Sequence, residues 1–373
     1  MRNFVKYSLL LLNLVLASLL AASRLIPYSN PYEYSFLGLL GFFTPVLFCL
    51  QLFFLLLWLF SRKVLYLFVP VSSMAYSWSV VHVFFAVHNP EDNRPSGSPK
   101  EFSVMSYNVR LLDLYHWNED KDSRKKLIAF LHKQNPTILC LQEFYSGQDK
   151  KNPNNIRAIQ QACGYEYMAE CNMYVTKRGK WGSILFSHLP IAGTKNYEMD
   201  VQGNNLLQRA DIVFDADTFS VYNVHLKSNR LSKSESELVN QKDVPDFSDS
   251  NLSASKSIFR KLQDNAVNRG LEADIVSSAI AQQGKPAIVC GDLNDIPCSY
   301  VYFKLRDTLR DAFLDKGLGL GYTFRGSLPV FRIDYLFYHP VFTLNQFNTV
   351  SVPFSDHNPL IARFSLPEKT ASP

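Results

Sequence analysis

The stretch Ile288-Val289-Cys290-Gly291-Asp292-Leu293-Asn294-Asp295-Ile296-Pro297 decides how the rest of the chain is read. An apolar run following Gly284 and Pro286 predicts a buried strand, and Gly291 predicts a sharp backbone turn where that strand ends. Residues two apart in an extended chain point to the same side. Asp292 and Asn294 are therefore expected to face one small volume, where a carboxylate and an amide hold a water molecule. An isolated D-x-N also reads, and more readily, as an Asx turn after a strand. A calcium loop does not fit, because the twelfth position counted from Asp292 is Phe303 rather than Glu.

The chain has 373 residues and a net charge of +5, too modest for its length to imply nucleic acid by itself. Its apolar residues crowd into the first quarter. From Phe4 to Ala22 the only charge is Lys6, near the start; from Phe36 to Phe60 there is none. From Val64 to Val87 the ionisable side chains are His82 and tyrosines. Each run is long enough to cross a bilayer as a helix, and Pro45 and Pro70 are tolerated in such spans. Arg2, Lys6, Arg62 and Lys63 belong on the cytoplasmic side, which leaves everything after Val87 outside the cell membrane. Leu20-Ala21-Ala22-Ser23 also reads as a signal-peptide cleavage site, and two remaining spans give the same outcome. His82, with no acidic partner in sequence reach, reads as a structural histidine.

The expected organisation is a membrane anchor over 1–88, a polar linker over 89–100 that holds the next domain off the bilayer, a catalytic domain over 101–366 and a tail over 367–373. Strands are expected at Phe102 to Tyr107, Thr137 to Leu141, Tyr165 to Met168, Gly182 to Phe186, Arg209 to Phe214, Phe219 to Val224, Arg332 to Tyr338 and Pro359 to Phe364. Helices are expected at Arg124 to Gln134, Ile156 to Cys163, Lys256 to Gln283 with a bend at Gly270, and near Tyr300 to Leu309. Ser228 to Ser255 reads as a long solvated loop. Such alternation suggests an α/β sandwich with helices outside. Of six cysteines, Cys140 and Cys290 read as small core residues, whereas Cys163 and Cys171 are placed to pair in an oxidising compartment.

Apolar strand-like runs end repeatedly in a group suited to phosphate or metal chemistry: Asn108, Glu143, His225 and the Asp292/Asn294 pair. Asp334 adds a carboxylate inside an apolar strand, where an ion pair with Arg332 is the structural alternative. Asp356 and His357 stand side by side before the last strand.

In this arrangement the chain resembles the endonuclease/exonuclease/phosphatase superfamily, with SYNVR, LQEF, NVHLKS, GDLND, RIDYLFY and SDHNP in the family's order from about Phe102 to Phe364. The resemblance implies a four-layer α/β/β/α sandwich of two mixed sheets and a divalent cation, usually magnesium, with manganese as an alternative. It makes Glu143 the main metal carboxylate, with Asn108 nearby and Asp356 in support. Asp292 orients or deprotonates the attacking water, and Asn294 holds that water and the phosphate. His225 and His357 donate to the non-bridging oxygens, and Asp334 fixes the tautomer of His357. Arg110 departs from the abasic-site enzymes, which have an acidic residue there. His225, where those enzymes have tyrosine, lies closer to the sphingomyelinase and deoxyribonuclease side of the group. A nucleic acid or a lipid phosphate is the expected substrate, and no obligate protein partner is implied. A nuclease would need a basic, aromatic-lined groove, for which Lys177, Arg178, Lys180 and Trp181 are the candidates.

Overall fold

The three apolar runs form helices α1 (Arg2–Ala22), α2 (Ser35–Phe60) and α3 (Phe68–Val81) in the computed structural model. It describes residues 2–88, 100–117, 120–149, 152–199, 206–228, 249–325 and 332–366. With their flanking 3-10 turns the helices give segments Asn3–Tyr28, Phe36–Phe60 and Val64–Phe84, each long and apolar enough to cross a membrane. Pro70 lies in the first turn of α3, where its missing N–H is no loss. A polar knot ties the bundle together: Asn13 Nδ2 donates to Gln51 Oε1 at 2.8 Å and Trp58 Nε1 donates to Asn13 Oδ1 at 3.0 Å.

The remainder is a four-layer α/β/β/α sandwich. One six-stranded sheet runs in the order β13 (Thr343–Thr349), β14 (Leu360–Ser365), β2 (Glu101–Asn108), β3 (Ile138–Gly147), β5 (Gly179–Ser187), β4 (Tyr167–Val175). The other runs β10 (Arg310–Asp311), β12 (Asp334–Tyr338), β9 (Ala287–Asp292), β8 (Asp217–His225), β7 (Leu206–Phe214), β6 (Ile191–Glu198). Parallel pairing joins β2 to β3 and β8 to β9; the other neighbours are antiparallel. Helices α4 (Ser123–Gln134) and α5 (Asn155–Cys163) cover the first sheet, and α6 (Asp249–Gln283) and α7 (Tyr300–Arg306) cover the second.

Both faces of the central strands are buried, so their sequences are mostly apolar rather than alternating, with a few buried polar residues among them. Val104, Cys140, Val221 and Cys290 face the opposite sheet, while Met105, Leu139, Tyr222 and Val289 face helices. Between the sheets lies a polar bridge of fully buried amides. Gln142 Nε2 donates to Asn223 Oδ1 at 2.7 Å, Asn223 Nδ2 donates to Gln208 Oε1 at 3.0 Å, and Gln208 Nε2 donates to the Ala169 carbonyl at 2.7 Å. Every amide nitrogen of this bridge finds an acceptor, while Gln142 Oε1 is left without a partner among the described residues.

Several expectations change. Gly291 lies within β9 at φ +144°, and a Cβ there would sit 1.8 Å from the Val224 carbonyl oxygen, so glycine is needed for close strand approach. The chain turns later, at Asn294 with φ +51°. α6 begins at Asp249 rather than Lys256 and runs unbroken through Gly270, whose missing side chain makes room for Pro31. Residues 229–248 of the expected loop and the tail 367–373 lie outside the described residues. All six cysteines are free, Cys163 buried under α4 and α5 and Cys171 buried in β4.

The apolar helices are not spaced away from the sandwich. Val83 is buried in the core beneath α6 and α7, and Arg332 Nη2 donates to its carbonyl at 2.8 Å. Ile26 and Val80 pack on Cys298, and Gly41 lets α2 approach so closely that a Cβ would lie 2.2 Å from the Cys298 carbonyl oxygen. Just past α3, β1 (Ala86–Val87) pairs with β11 (Leu318–Gly319). These contacts precede the expected linker, of which 89–99 are outside the described residues, so they seat the domain directly on the helices.

Candidate active site

Strand register builds the site. β8 pairs His225 with Asp292, and β9 pairs Asp292 with Asp334, so three chemical groups lie in a row across one end of the second sheet. Asn108, the last residue of β2, reaches across from the first sheet, its Nδ2 donating to Asp292 Oδ2 at 3.1 Å. His357 closes the group from the turn before β14. Its Nδ1 lies 2.9 Å from Asp334 Oδ2 and its Nε2 3.7 Å from Asp292 Oδ2. Asp334 pairs with this histidine, not with Arg332, which binds Asp311 instead.

Glu143 was expected at a strand end but lies inside β3, at a bulge between Leu141 and Phe144 with φ +45°. The bulge re-aims the carboxylate toward the cleft. Its Oε1 is 3.6 Å from His225 Nε2, and its side chain is 34 % exposed. Among the described residues no group hydrogen-bonds to it, and His225 Nε2 is buried without a hydrogen-bond partner, 3.9 Å from Asp292 Oδ2. A buried ring nitrogen left open between two carboxylates is the feature a bound phosphate group would satisfy.

The Asn294 N–H donates to Asp292 Oδ1 at 2.8 Å, forming the Asx turn, while Asp292 Oδ2 is the oxygen directed at Asn108, His225 and His357. Asn294 Nδ2 donates to the Leu226 carbonyl at 2.9 Å, which fixes its amide beside Asp292. Burial pushes the Asp292 carboxyl up to about 6, with the Asp334 charge adding to the rise and His357 opposing it. Burial alone would lower His357, but the Asp334 and Asp292 carboxylates outweigh it and hold the imidazole at about 10. The buried pair is thus a carboxylate beside an imidazolium at neutral pH.

Two carboxylates and one imidazole, from Asp292, Asp334 and His357, offer ligand atoms within 4.8 Å of one another. Asp334 is committed to His357 and Asp292 to Asn108 and Asn294, so the carboxylates of this trio are already engaged by hydrogen bonds. Glu143 supplies the uncommitted oxygens that suit a hard cation, with the Asn108 side-chain oxygen at the neighbouring strand end. That oxygen also accepts from the Arg110 N–H at 3.1 Å. Asp356 is ion-paired at 3.3 Å to Arg110, whose guanidinium lies 4.5 Å over Trp117.

Two supporting residues had no signal in sequence, and a third stood only inside a motif. Thr323 Oγ1 accepts from the Ile333 and Asp334 N–H groups at 3.0 and 3.1 Å, fixing the start of β12. Phe324 packs its ring 5.0 Å from that of His357. Ser355, visible only as part of SDHNP, donates to the Asn108 carbonyl at 2.8 Å and ties the histidine turn to β2. Lys180, expected in a basic groove, is paired with Glu170 at 2.7 Å, and Trp181 packs on Tyr145.

A family model described as the Endonuclease/Exonuclease/phosphatase family matches residues 105–357, and one described as a domain of unknown function matches residues 6–84. No curated protein matches the chain. Among solved structures, an endonuclease/exonuclease/phosphatase from Bacteroides vulgatus aligns with TM-score 0.53 and 16 % identity, covering 72 % of this chain and 99 % of its own. One from Beutenbergia cavernae aligns at TM-score 0.51 and 16 % identity, covering 72 % of each chain. The catalytic domain of human Nocturnin, solved with a bound sulfate anion, aligns at TM-score 0.50 and 18 % identity, covering 72 % of this chain and 95 % of its own. At these identities the likeness is one of fold.

Proposed function

This chain belongs to the endonuclease/exonuclease/phosphatase family, hydrolases of phosphoester bonds, and on that premise we propose a membrane-anchored, divalent-metal-dependent phosphoesterase acting by in-line attack of water. Its substrate is a phosphodiester of nucleic-acid or phospholipid type, or a phosphomonoester. The observation that carries this reading is the convergence on Asp292 Oδ2 of Asn108 Nδ2 at 3.1 Å, His357 Nε2 at 3.7 Å and His225 Nε2 at 3.9 Å.

Asp292 orients the water and takes its proton as the new O–P bond forms, while Asn294 holds the water and the phosphate. The bond from phosphorus to the leaving alcohol breaks, and the departing alkoxide takes a proton from solvent while Asp292 returns the one it accepted. His225 and protonated His357 donate to the non-bridging oxygens, where charge grows in the transition state. Asp334 holds the His357 ring with Nε2–H toward the phosphate. Glu143 and Asn108 would hold magnesium or manganese, with Asp356 in support; when bound, the ion offsets phosphoryl charge and eases departure of the leaving oxygen. Basic residues at Arg2, Lys6, Arg62 and Lys63 support an orientation with the catalytic unit on the extracytoplasmic side.

The test is hydrolysis of chromogenic phosphodiesters and phosphomonoesters by the full chain in detergent micelles with magnesium. Asp292→Ala and Glu143→Ala are each expected to lower turnover by at least about 100-fold. Equal turnover by all three proteins would reject the catalytic reading and leave a binding module that retained the fold.

A further inference from the structure

Resting on that phosphoesterase reading, we propose that the substrate is a phosphoester carried by a membrane lipid, presented to the site from the bilayer surface. The catalytic loop and the anchor are one packed unit. Six residues after Asp292, Cys298 packs on Ile26 and Val80 and lies beside Thr44, its Sγ 3.8 Å from the Thr44 hydroxyl. Asn30, between the first two spans, reaches Asp274 and Tyr300, both at 3.5 Å. The ends of the spans that touch the catalytic unit also carry Arg24, bonded to Ser79 and lying over Tyr76. A cation among aromatic rings is the side-chain chemistry of the headgroup layer.

An exposed apolar ridge leads from there to the chemistry. Val87, just past the third span, is 79 % exposed and pairs with Leu318, itself 61 % exposed. Leu320 and Tyr322 continue the ridge, also exposed, and two residues later Phe324 packs on His357. A ridge continuous with membrane-spanning helices at one end and the catalytic histidine at the other has the bilayer as its natural neighbour. Three described cations near the site are engaged within the fold rather than free to line a track for a polyanion. Arg110 is held by Asp356 and Trp117, Lys180 by Glu170, and Arg325 bonds the Val352 and Ser355 carbonyls.

The experiment uses the full chain in nanodiscs. Phosphatidic acid, phosphatidylethanolamine, phosphatidylglycerol and a ceramide phosphodiester are tested in turn by phosphorus NMR. A DNA and an RNA oligonucleotide and a soluble chromogenic phosphodiester are tested in parallel. Hydrolysis of at least one lipid, about tenfold or more faster than either oligonucleotide, is expected. The double variant Leu318→Asp/Leu320→Asp should lower the ratio of lipid to chromogenic turnover at least about tenfold. Faster cleavage of an oligonucleotide than of any lipid, chromogenic turnover without lipid turnover, or an unchanged ratio in the double variant would overturn the proposal. No hydrolysis of any substrate is a distinct failure, one that removes the phosphoesterase reading beneath it.

Discussion

Replacing Arg332 by Met is expected to cost roughly 4 kcal/mol of stability. The guanidinium is buried, its Nη1 2.7 Å from Asp311 Oδ2 and its Nη2 2.8 Å from the Val83 carbonyl, with Phe313 and Tyr335 rings at 4.5 and 4.7 Å. Breaking a buried ion pair from one side costs about 3–5 kcal/mol, because the remaining charge is stranded. Asp311 keeps the Tyr302 hydroxyl at 2.8 Å and the Phe313 N–H at 3.0 Å, which places the loss toward the lower end of that range. The unpaired Val83 carbonyl adds about 1 kcal/mol. For a catalytic unit of this size the sum lowers the melting temperature by roughly 10 °C, readable by near-UV circular dichroism of the full chain in micelles. Adding Asp311→Asn removes the stranded charge while retaining an acceptor, and should recover at least about half of the loss. A single variant melting within about 2 °C of the parent, or a double variant no more stable than the single, would refute the reasoning.

Asp334→Asn should lower kcat by about 10²–10⁴ with little change in KM, since it removes the carboxylate that orients His357 rather than a group touching substrate; steady-state kinetics decides this. Chelation by EDTA should abolish turnover, and added magnesium or manganese should restore it; undiminished turnover under EDTA would remove the metal from the reaction. Gly291→Ala would force a Cβ to within 1.8 Å of the Val224 carbonyl oxygen at a backbone angle that alanine rarely adopts, so its melting temperature should fall further than that of Arg332→Met.

The candidate site could be read in the sequence because its groups stand at or beside the ends of apolar runs, where a buried strand delivers them to a common edge. Asn108, His225 and Asp292 are terminal strand residues, and Asp334 is the first residue of its own strand. The bulge at Glu143 was not legible, since an inserted residue leaves no mark in an apolar pattern. β6 and β13 were missed because they are outermost strands rich in Thr, Asn, Lys and Gln, with one face in solvent. Seating of the anchor on the catalytic unit rests on Gly41 and Gly270, each small because of a neighbour distant in sequence. Pattern reading along the chain cannot see such neighbours.

The amide chain from Gln142 through Asn223 to Gln208 has a mechanical consequence. Glu143 and Asn108 come from one sheet, whereas His225, Asp292 and Asp334 come from the other. Greasy faces could slide past each other by a fraction of a residue at small cost, but directional bonds from Gln142, one residue before Glu143, and Asn223, two residues before His225, act as a dowel between the plates. Loops at the rim can then vary in length and chemistry to admit different molecules while the gap between the two jaws stays at one setting.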